Sequence, residues 1–421
     1  MKFAIINAMV YEDNSFKKKN IFIDNGLVSE ISDATADESR SLFDFENCYV
    51  FPGFIDVHVH LREPGFSYKE TIKSGTMASA KGGYTAVCSM PNLDPVPDSV
   101  SNLKAQTDII EKDAVISVYP YGSITCGEKG EELSDMEGMA DKVVGFSDDG
   151  RGVQDAEMMK NAMEKAEKLD KIIVAHCEEN SLLNGGYIHD GEYAKVNGHK
   201  GICSESEWLP IKRDIELLKE TKAKYHVCHI STKESVDLIR KAKAEGVDIT
   251  CETGPHYLTL CDMDIKDEGR FKMNPPIRSA KDRDALVEGI KDGTIDMIAT
   301  DHAPHSKEEK GKGLKDSLMG VVGIETAFPV MYTKFGKTGK MSLESLVKLL
   351  SINPSKRFNI KTGIKAGEVA NFTVFNLNEK YKVNPDEFLS MGKATPFENE
   401  EVYGKCKMTV ANGKIAYMEE E

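Results

Sequence analysis

The sequence predicts an α/β fold: a (β/α)8 TIM-type barrel with a small β domain built from both chain ends. Three observations carry this reading. From about residue 51, apolar runs of strand length alternate with amphipathic helical segments, and eight such runs occupy about 250 residues, the count and size of a (β/α)8 barrel. At both ends the texture is instead of short strands separated by turns. No Gly-rich dinucleotide turn follows the first long run, which removes the main support for a doubly wound sheet.

Residues 1–50 form the N-terminal part of the small domain. Strands are expected at 2–7, 20–23, 27–31 and 49–51, with a hairpin at Asp24, Asn25 and Gly26. So little apolar surface cannot make a core alone. The barrel, 51–364, places its strands at 53–57, 84–90, 115–119, 143–146, 172–175, 225–228, 248–251 and 296–300. Helical patterns lie between most of them, as at 156–169, 210–221 and 233–245, long enough for right-handed crossovers. Residues 365–421 return to strands, at 368–375 and 401–418, the latter split by the hairpin pair Asn412-Gly413. Joining both ends into one β domain is the economical arrangement. The segment 305–316, HSKEEKGKGLKD, reads as a mobile loop from its Gly and Lys content.

Composition narrows the function. With 421 residues, 40% hydrophobic and 29% charged, this is an ordinary globular chain. No apolar run approaches the roughly 20 residues of a membrane span, and MKFAIINAMVYEDN meets charge too early for a signal peptide. The nine scattered cysteines form no C-x-x-C pair and fit free thiols in a reducing cytoplasm. A net charge of −15 argues against nucleic acid or an anionic membrane as partner. It also requires that an anionic substrate be met by cations local to its site.

In a barrel of this kind the active site lies at the C-terminal strand ends. The first strand ends in His58 and His60, two residues apart and therefore on one face, with Arg62 on the same parity. The fourth ends in Ser147, Asp148 and Asp149, the fifth in His176, the sixth in His229 and the eighth in Asp301. Each residue alone has an ordinary structural role open to it: a turn former, a helix cap or a hydrogen-bonded rim histidine. Five strands delivering His or Asp to one rim is a pattern that core packing does not produce. His226 has the opposite parity to His229, and His189, His199 and His256 fall in expected loops, so none is a candidate ligand. Four imidazoles and two carboxylates suit zinc, with Mn, Co or Fe as alternatives. Zinc with an open position lowers the pKa of water to about 7, which suits attack on an amide carbonyl. Asp301 is placed to take that water's proton and pass it to a leaving nitrogen.

Several motifs resemble those of dihydroorotases, within the amidohydrolase superfamily of metal-dependent barrels. They are HVHLREPG (58–65), MPN (90–92), SDDG (147–150), AHCE (175–178), CHIST (228–232), NPPIR (274–278) and DHAPH (301–305). The resemblance spans nearly the whole chain. It implies interconversion of N-carbamoyl-L-aspartate and L-dihydroorotate, the ring-closing step of pyrimidine synthesis. It implies His58, His60, Asp149, His176, His229 and Asp301 as metal ligands, with Asp301 also the catalytic base. His60, Leu61, Arg62, Asn92, Asn274 and His305 are implied substrate contacts, and Met319 and Gly320 contact the ring through their backbone. Asp149 is preferred to Asp148 because its spacing to His176 matches the family pattern. Where many superfamily members bridge two metals with a carboxylated lysine, this chain has aspartate, so the cofactor is one or two Zn2+ ions. A lid over 303–320 is expected from its composition and from the implied substrate contacts at its two ends; a homodimer and a complex with aspartate transcarbamoylase are further implications of the resemblance. The competing readings are a hydantoinase, allantoinase or dihydropyrimidinase, and a non-catalytic dihydroorotase-like partner of aspartate transcarbamoylase.

Overall fold

The computed structural model describes residues 2–35 and 40–420. Two runs of parallel strands form its centre. Phe54–Val59, Tyr84–Ser89 and Ser117–Pro120 pair in that order. Ile172–Ala175, Lys224–Val227, Ile249–Thr253 and Met297–Ile298 form the second run. Single parallel bridges link the runs at both edges: Gly122 to Phe146 and Phe146 to Ile173 on one side, Val59 to His302 on the other.

Helices cover these strands for the reason their sequences suggest. In Ala156–Lys168 the buried residues are Met159, Ala162, Met163 and Ala166, and in Lys233–Ala244 they are Ser235, Val236, Ile239 and Ala242. Both sets follow three- and four-residue steps, one stripe of a helix. Asp155 and Thr232 cap the two N-termini by accepting from Met158 N and Ser235 N.

The strand expected at 143–146 is not formed, and only Phe146 makes bridges there. The strand expected at 296–300 shrinks to Met297–Ile298. The physical reason for the second is side-chain competition. The Thr300 N–H is taken by the Asp56 carboxylate, and Asp296 Oδ2 accepts from Cys251 N at 2.8 Å. Backbone donors that would extend the ladder are already used.

The chain ends meet in one eight-stranded sheet. Lys2–Glu12, Ser15–Asp24, Leu27–Ser32, Ser41–Asp44 and Tyr49–Pro52 come from one end, and Phe372–Lys382, Glu401–Ala411 and Lys414–Met418 from the other. The seam is the antiparallel pairing of Phe372–Lys382 with Tyr49–Pro52. Phe3, Ile5, Val50, Phe372, Val374 and Met408 share its core, so each end supplies what the other lacks. Phe51, Phe54, Phe328 and Phe375 then join sheet to barrel strands, with ring centroids 4.4 Å apart for Phe328 and Phe375 and 5.7 Å for Phe54 and Phe375. The strand expected from 368 begins only at Phe372, because 365–369 turns back to bond Val28.

The segment 305–316 is not the loop its composition suggested. It holds two short helices, Lys307–Lys310 and Gly313–Asp316, the first with a Ser306/Glu309 capping box. Leu314 and Lys310 are buried, and Lys310 Nζ donates to Lys272 O at 2.9 Å and Leu318 O at 2.7 Å. A lysine satisfied by carbonyls does not read as core in a sequence.

Asp56 couples the first strand to the last. It accepts from His58 N at 3.1 Å, and from Thr300 N at 3.2 Å and Thr300 Oγ1 at 2.6 Å. A buried donor left unpaired costs about 1–3 kcal/mol. Asp56→Ala is therefore expected to lower stability by at least ~3 kcal/mol in urea unfolding; a loss below ~1 kcal/mol would show that these bonds are replaceable.

Candidate metal and substrate site

His58, His60, Asp149, His176, His229 and Asp301 converge at the C-terminal ends of the parallel strands, and all are buried. His60 Nε2 lies 3.1 Å from Asp301 Oδ1 and 3.4 Å from Asp149 Oδ2. His58 Nε2 lies 3.3 Å from Asp149 Oδ1 and 3.4 Å from Asp301 Oδ1. On the other side of Asp149, His176 Nδ1 and His229 Nε2 each lie 3.6 Å from Oδ1, and 3.0 Å from each other. Asp149 is thus common to two groups of donors.

The neighbouring Asp148 faces away. It accepts from Ile124 N at 2.7 Å, Thr125 N at 3.0 Å and the Thr125 hydroxyl, which fixes the turn that delivers Asp149. Beneath His58 lies Glu252, which the sequence reading did not single out. Its Oε1 is 2.7 Å from His58 Nδ1, and its Oε2 is 3.0 Å from His226 Nε2. The carboxylate holds the His58 proton on Nδ1 and turns Nε2 to the centre, the arrangement that suits a metal-binding imidazole. His226 is therefore not a member of the donor group but supports it. The one sequence signal for Glu252 was an acid inside the short strand ITCET.

The electrostatics fit one compact charge cluster. Burial alone would raise the Asp149 carboxyl, but the imidazoles of His58, His176 and His229 around it hold it well below the usual carboxylate range. Asp301 is lowered against burial by His58 and His60. Burial likewise opposes Glu252, but bonds from His226 and His58 bring it down to about 2.

These residues fit a divalent metal ion. His58 Nε2, Asp149 Oδ1 and His176 Nε2 are buried without a hydrogen-bond partner, although each is a strong ligand atom. His58, His60 and Asp149 form one group with ligand atoms within 4.8 Å, and Asp149, His176 and His229 another. Tetrahedral bonds of about 2.0–2.1 Å place neighbouring ligand atoms about 3.3 Å apart, and the N–O spacings here, 3.1 to 3.6 Å, bracket that value.

The donors form one wall of a cavity of about 260 Å3, whose other wall includes Arg62, Asn92, Asn274, His305, Met319 and Gly320. Arg62 Nε donates to Pro304 O at 3.1 Å, and its Nη2 lies 3.4 Å from His305 Nε2. Asn92 donates to Asp149 O. Asn274 Nδ2 donates to Glu178 Oε1 at 2.8 Å, and Glu178 Oε2 lies 3.6 Å from His176 Nε2. Gly320 has φ 130°, and a Cβ there would lie 2.8 Å from Ala303 O and 3.0 Å from His305 Nε2. Leu61 does not join this wall: its side chain is buried against Gly75 of helix Ile72–Lys81, the opposite way from His60 and Arg62. Three of the converging residues carry backbone strain, with positive φ at Arg62 (60°), His229 (29°) and Asp301 (46°).

This donor set on this scaffold is that of a metal-dependent cyclic amidohydrolase. The chain resembles the structure of L-hydantoinase (dihydropyrimidinase) from Arthrobacter aurescens, with a TM-score of 0.89 and 25% identity over 100% of this chain and 97% of that one. The dihydropyrimidinase of Brevibacillus agri NCHU1002 has the same fold, with a TM-score of 0.84 and 22% identity over 99% of this chain and 95% of that one. Residues 48–235 match the family model described as dihydro-orotase-like. The chain is 50% identical to the dihydroorotase of Fusobacterium nucleatum over 99% of its own length and 98% of that protein's. It is 45% identical to that of Bacillus licheniformis over 100% and 99%. The chain belongs to the dihydroorotase family.

Removing one partner of a buried ion pair typically costs about 3–5 kcal/mol. Glu252→Ala strands His58 and His226 together, and is expected to lose at least that much in urea unfolding of metal-free protein. Wild-type stability would mean that the two rings find other partners.

Proposed function

We propose that this chain catalyses the reversible cyclisation of N-carbamoyl-L-aspartate to L-dihydroorotate in pyrimidine synthesis, in the cytoplasm. The observation that carries the substrate is the approach of Arg62 Nη2 to His305 Nε2, at 3.4 Å, on the wall opposite the histidine–aspartate cluster. A guanidinium nitrogen is a donor, and His305 Nε2 lies 2.7 Å from the Met319 carbonyl, so it too carries a proton. With the His305 N–H given to the Met319 carbonyl, the guanidinium fork is the group on this wall that suits a carboxylate. Both proposed substrates have one beside the bond that reacts.

In this reading the metal is zinc. His58, His60, Asp149 and Asp301 would hold one ion, and Asp149, His176 and His229 would be the residues for a second. When bound, the metal supplies Lewis acidity toward the amide carbonyl and toward water. The remaining steps belong to the chain. Asp301, held as a carboxylate, accepts a proton and returns it to the departing nitrogen. Arg62, Asn92 and His305 hold the substrate carboxylate, Asn274 and the Met319–Gly320 backbone orient the ring, and Glu178 fixes Asn274. The 303–320 segment, anchored by His305 at one end and Gly320 at the other, acts as the lid.

The single bridges at Phe146 and His302 support a closed eight-membered barrel over 51–364, with 1–50 and 365–421 forming one β domain. A homodimer and an aspartate transcarbamoylase complex belong to this reading through family resemblance. The hydantoinase alternative has structural likeness at 25% identity or less, against 43–50% for proteins named dihydroorotase. The non-catalytic alternative is disfavoured because every residue of the donor set is present.

The reading is tested by turnover of dihydroorotate, hydantoin and 5,6-dihydrouracil by protein of measured metal content. Dihydroorotate should be strongly preferred, and only by metal-loaded protein. Asp301→Asn should retain the fold and lose about 10²–10⁴-fold in kcat in both directions; near-normal turnover would remove Asp301 as the proton carrier. Arg62→Lys keeps charge but not the planar fork. It should depress kcat/KM for dihydroorotate and leave dihydrouracil, which lacks the carboxylate, nearly unchanged. Equal losses on both would assign Arg62 to the fold.

A further inference from the structure

His305 faces the substrate cavity, but its proton is placed from behind. A neutral imidazole has one N–H, and the nitrogen that carries it decides whether the ring attracts or repels a carboxylate. On the cavity side, Nε2 lies 2.7 Å from the Met319 carbonyl oxygen, which can only accept. On the far side, Nδ1 lies 3.3 Å from Lys69 Nζ, an ammonium that can only donate. Both contacts favour one form, protonated at Nε2 and bare at Nδ1; the Arg62 Nη2 donor 3.4 Å from Nε2 favours the other, and the Met319 contact is the shorter by 0.7 Å.

Lys69 is held for this contact. It is buried, its Nζ lies 5.6 Å and 5.5 Å from the Phe66 and Tyr68 ring centroids, and it pairs with Glu309 Oε1 at 3.1 Å. Glu309 is the competitor. Its Oε2 lies 3.5 Å from His305 Nδ1, and a carboxylate there would draw the ring proton to Nδ1. The charged groups facing the ring are Arg62, Lys69 and Glu309, with Lys310 acting from further off. Burial, Arg62 and Lys69 hold His305 down to about 3, so the ring is neutral and its tautomer is a real choice.

We propose that Lys69 is a positioning residue for substrate recognition: by donating to His305 Nδ1 and neutralising Glu309, it keeps the ring proton on Nε2, bonded to the Met319 carbonyl at the edge of the anion subsite, so that no Nε2 lone pair faces that subsite. The identity of that anion rests on the dihydroorotate reading above. Without Lys69, Glu309 holds the proton at Nδ1, and an Nε2 lone pair faces the substrate carboxylate.

The test begins with metal-loaded wild-type enzyme carrying 15N-histidine. Two-bond 1H–15N spectra distinguish the tautomers, and His305 is assigned by the signals lost in His305→Asn. The expected ring has a protonated Nε2 and a bare Nδ1; the reverse overturns the proposal, whatever the substrate proves to be. Lys69→Met keeps the apolar stem between the two rings. It should move the proton to Nδ1 and raise KM for dihydroorotate about 10–100-fold at pH 8, the cost of one unsatisfied lone pair set against a charged group, with a much smaller change in kcat. The defect should shrink as pH falls, because Glu309 then raises the His305 pKa and the imidazolium regains its Nε2–H. Lys69→Met/Glu309→Gln removes the competitor yet retains a capping residue for Ser306, and should recover most of the KM. A pH-independent defect, or equal losses on dihydroorotate and dihydrouracil, would assign Lys69 to the fold alone. If Lys69→Met does not fold, the wild-type spectrum still decides. If wild-type enzyme does not turn over dihydroorotate, the substrate reading fails while the tautomer result stands.

Discussion

The structure depends on one buried carboxylate. Asp149 lies among four imidazoles with almost no solvent, where an isolated charge would be untenable. Its neighbours must therefore come from several strands at once, which binds the rim into one unit. Support continues outward along hydrogen bonds. His58 is turned by Glu252, Glu252 by His226, and His226 Nδ1 by Thr250 Oγ1 at 2.8 Å. Asp148 holds the turn beneath Asp149 through Thr125 and Ile124. A short aspartate reaches the histidines only if its backbone is placed accurately, so the bonds made by Asp148 matter as much as the residue beside it.

The opposite wall is built on the same principle with different chemistry. Arg62 presents a guanidinium held by the Pro304 carbonyl, and His305 beside it is held by the Met319 carbonyl and Lys69. The segment behind them is fixed by Lys310, whose ammonium is spent on the Lys272 and Leu318 carbonyls and which burial brings down to about 7. Rigid placement at strand ends also explains the strain. Positive φ at Arg62, His229 and Asp301 is tolerable because packing and side-chain bonds over-determine those positions.

What could be read from the sequence was what lies next to a strand end. The residues of the metal cluster follow short apolar runs, so their placement on one rim needs only strand counting and the barrel rule. What could not be read depends on partners distant in the chain. Glu252 meets His58 across 194 positions and Lys69 meets His305 across 236, and neither pairing leaves a local pattern. Parity kept His226 out of the donor group, where the structure has it bonded to Glu252 and Thr250, but alternation does not govern His229, because the strand ends at Val227 and His229 has a positive φ. The short strand at 296–300 escaped for a related reason: propensity counts backbone donors, not the aspartates that intercept them. Lys310 and Leu314 escaped because a lysine-rich segment looks solvated until its ammonium groups find carbonyls.

The cavity's field differs in sign from that of the chain as a whole. A chain of net charge −15 would repel an anionic substrate if its charges acted together at long range. At physiological ionic strength, surface charges beyond about 8 Å are largely screened, whereas buried groups are not. The field in the cavity is therefore set by Arg62 and Lys69, both buried or nearly so, together with any metal the donor set holds. Burial lowers Arg62 to about 10, which still leaves it charged at neutral pH. The acids that offset these cations, Asp149 and Asp301, are saturated by histidines. The metal side of the cavity is thus internally balanced, and the guanidinium side retains its positive field for a carboxylate.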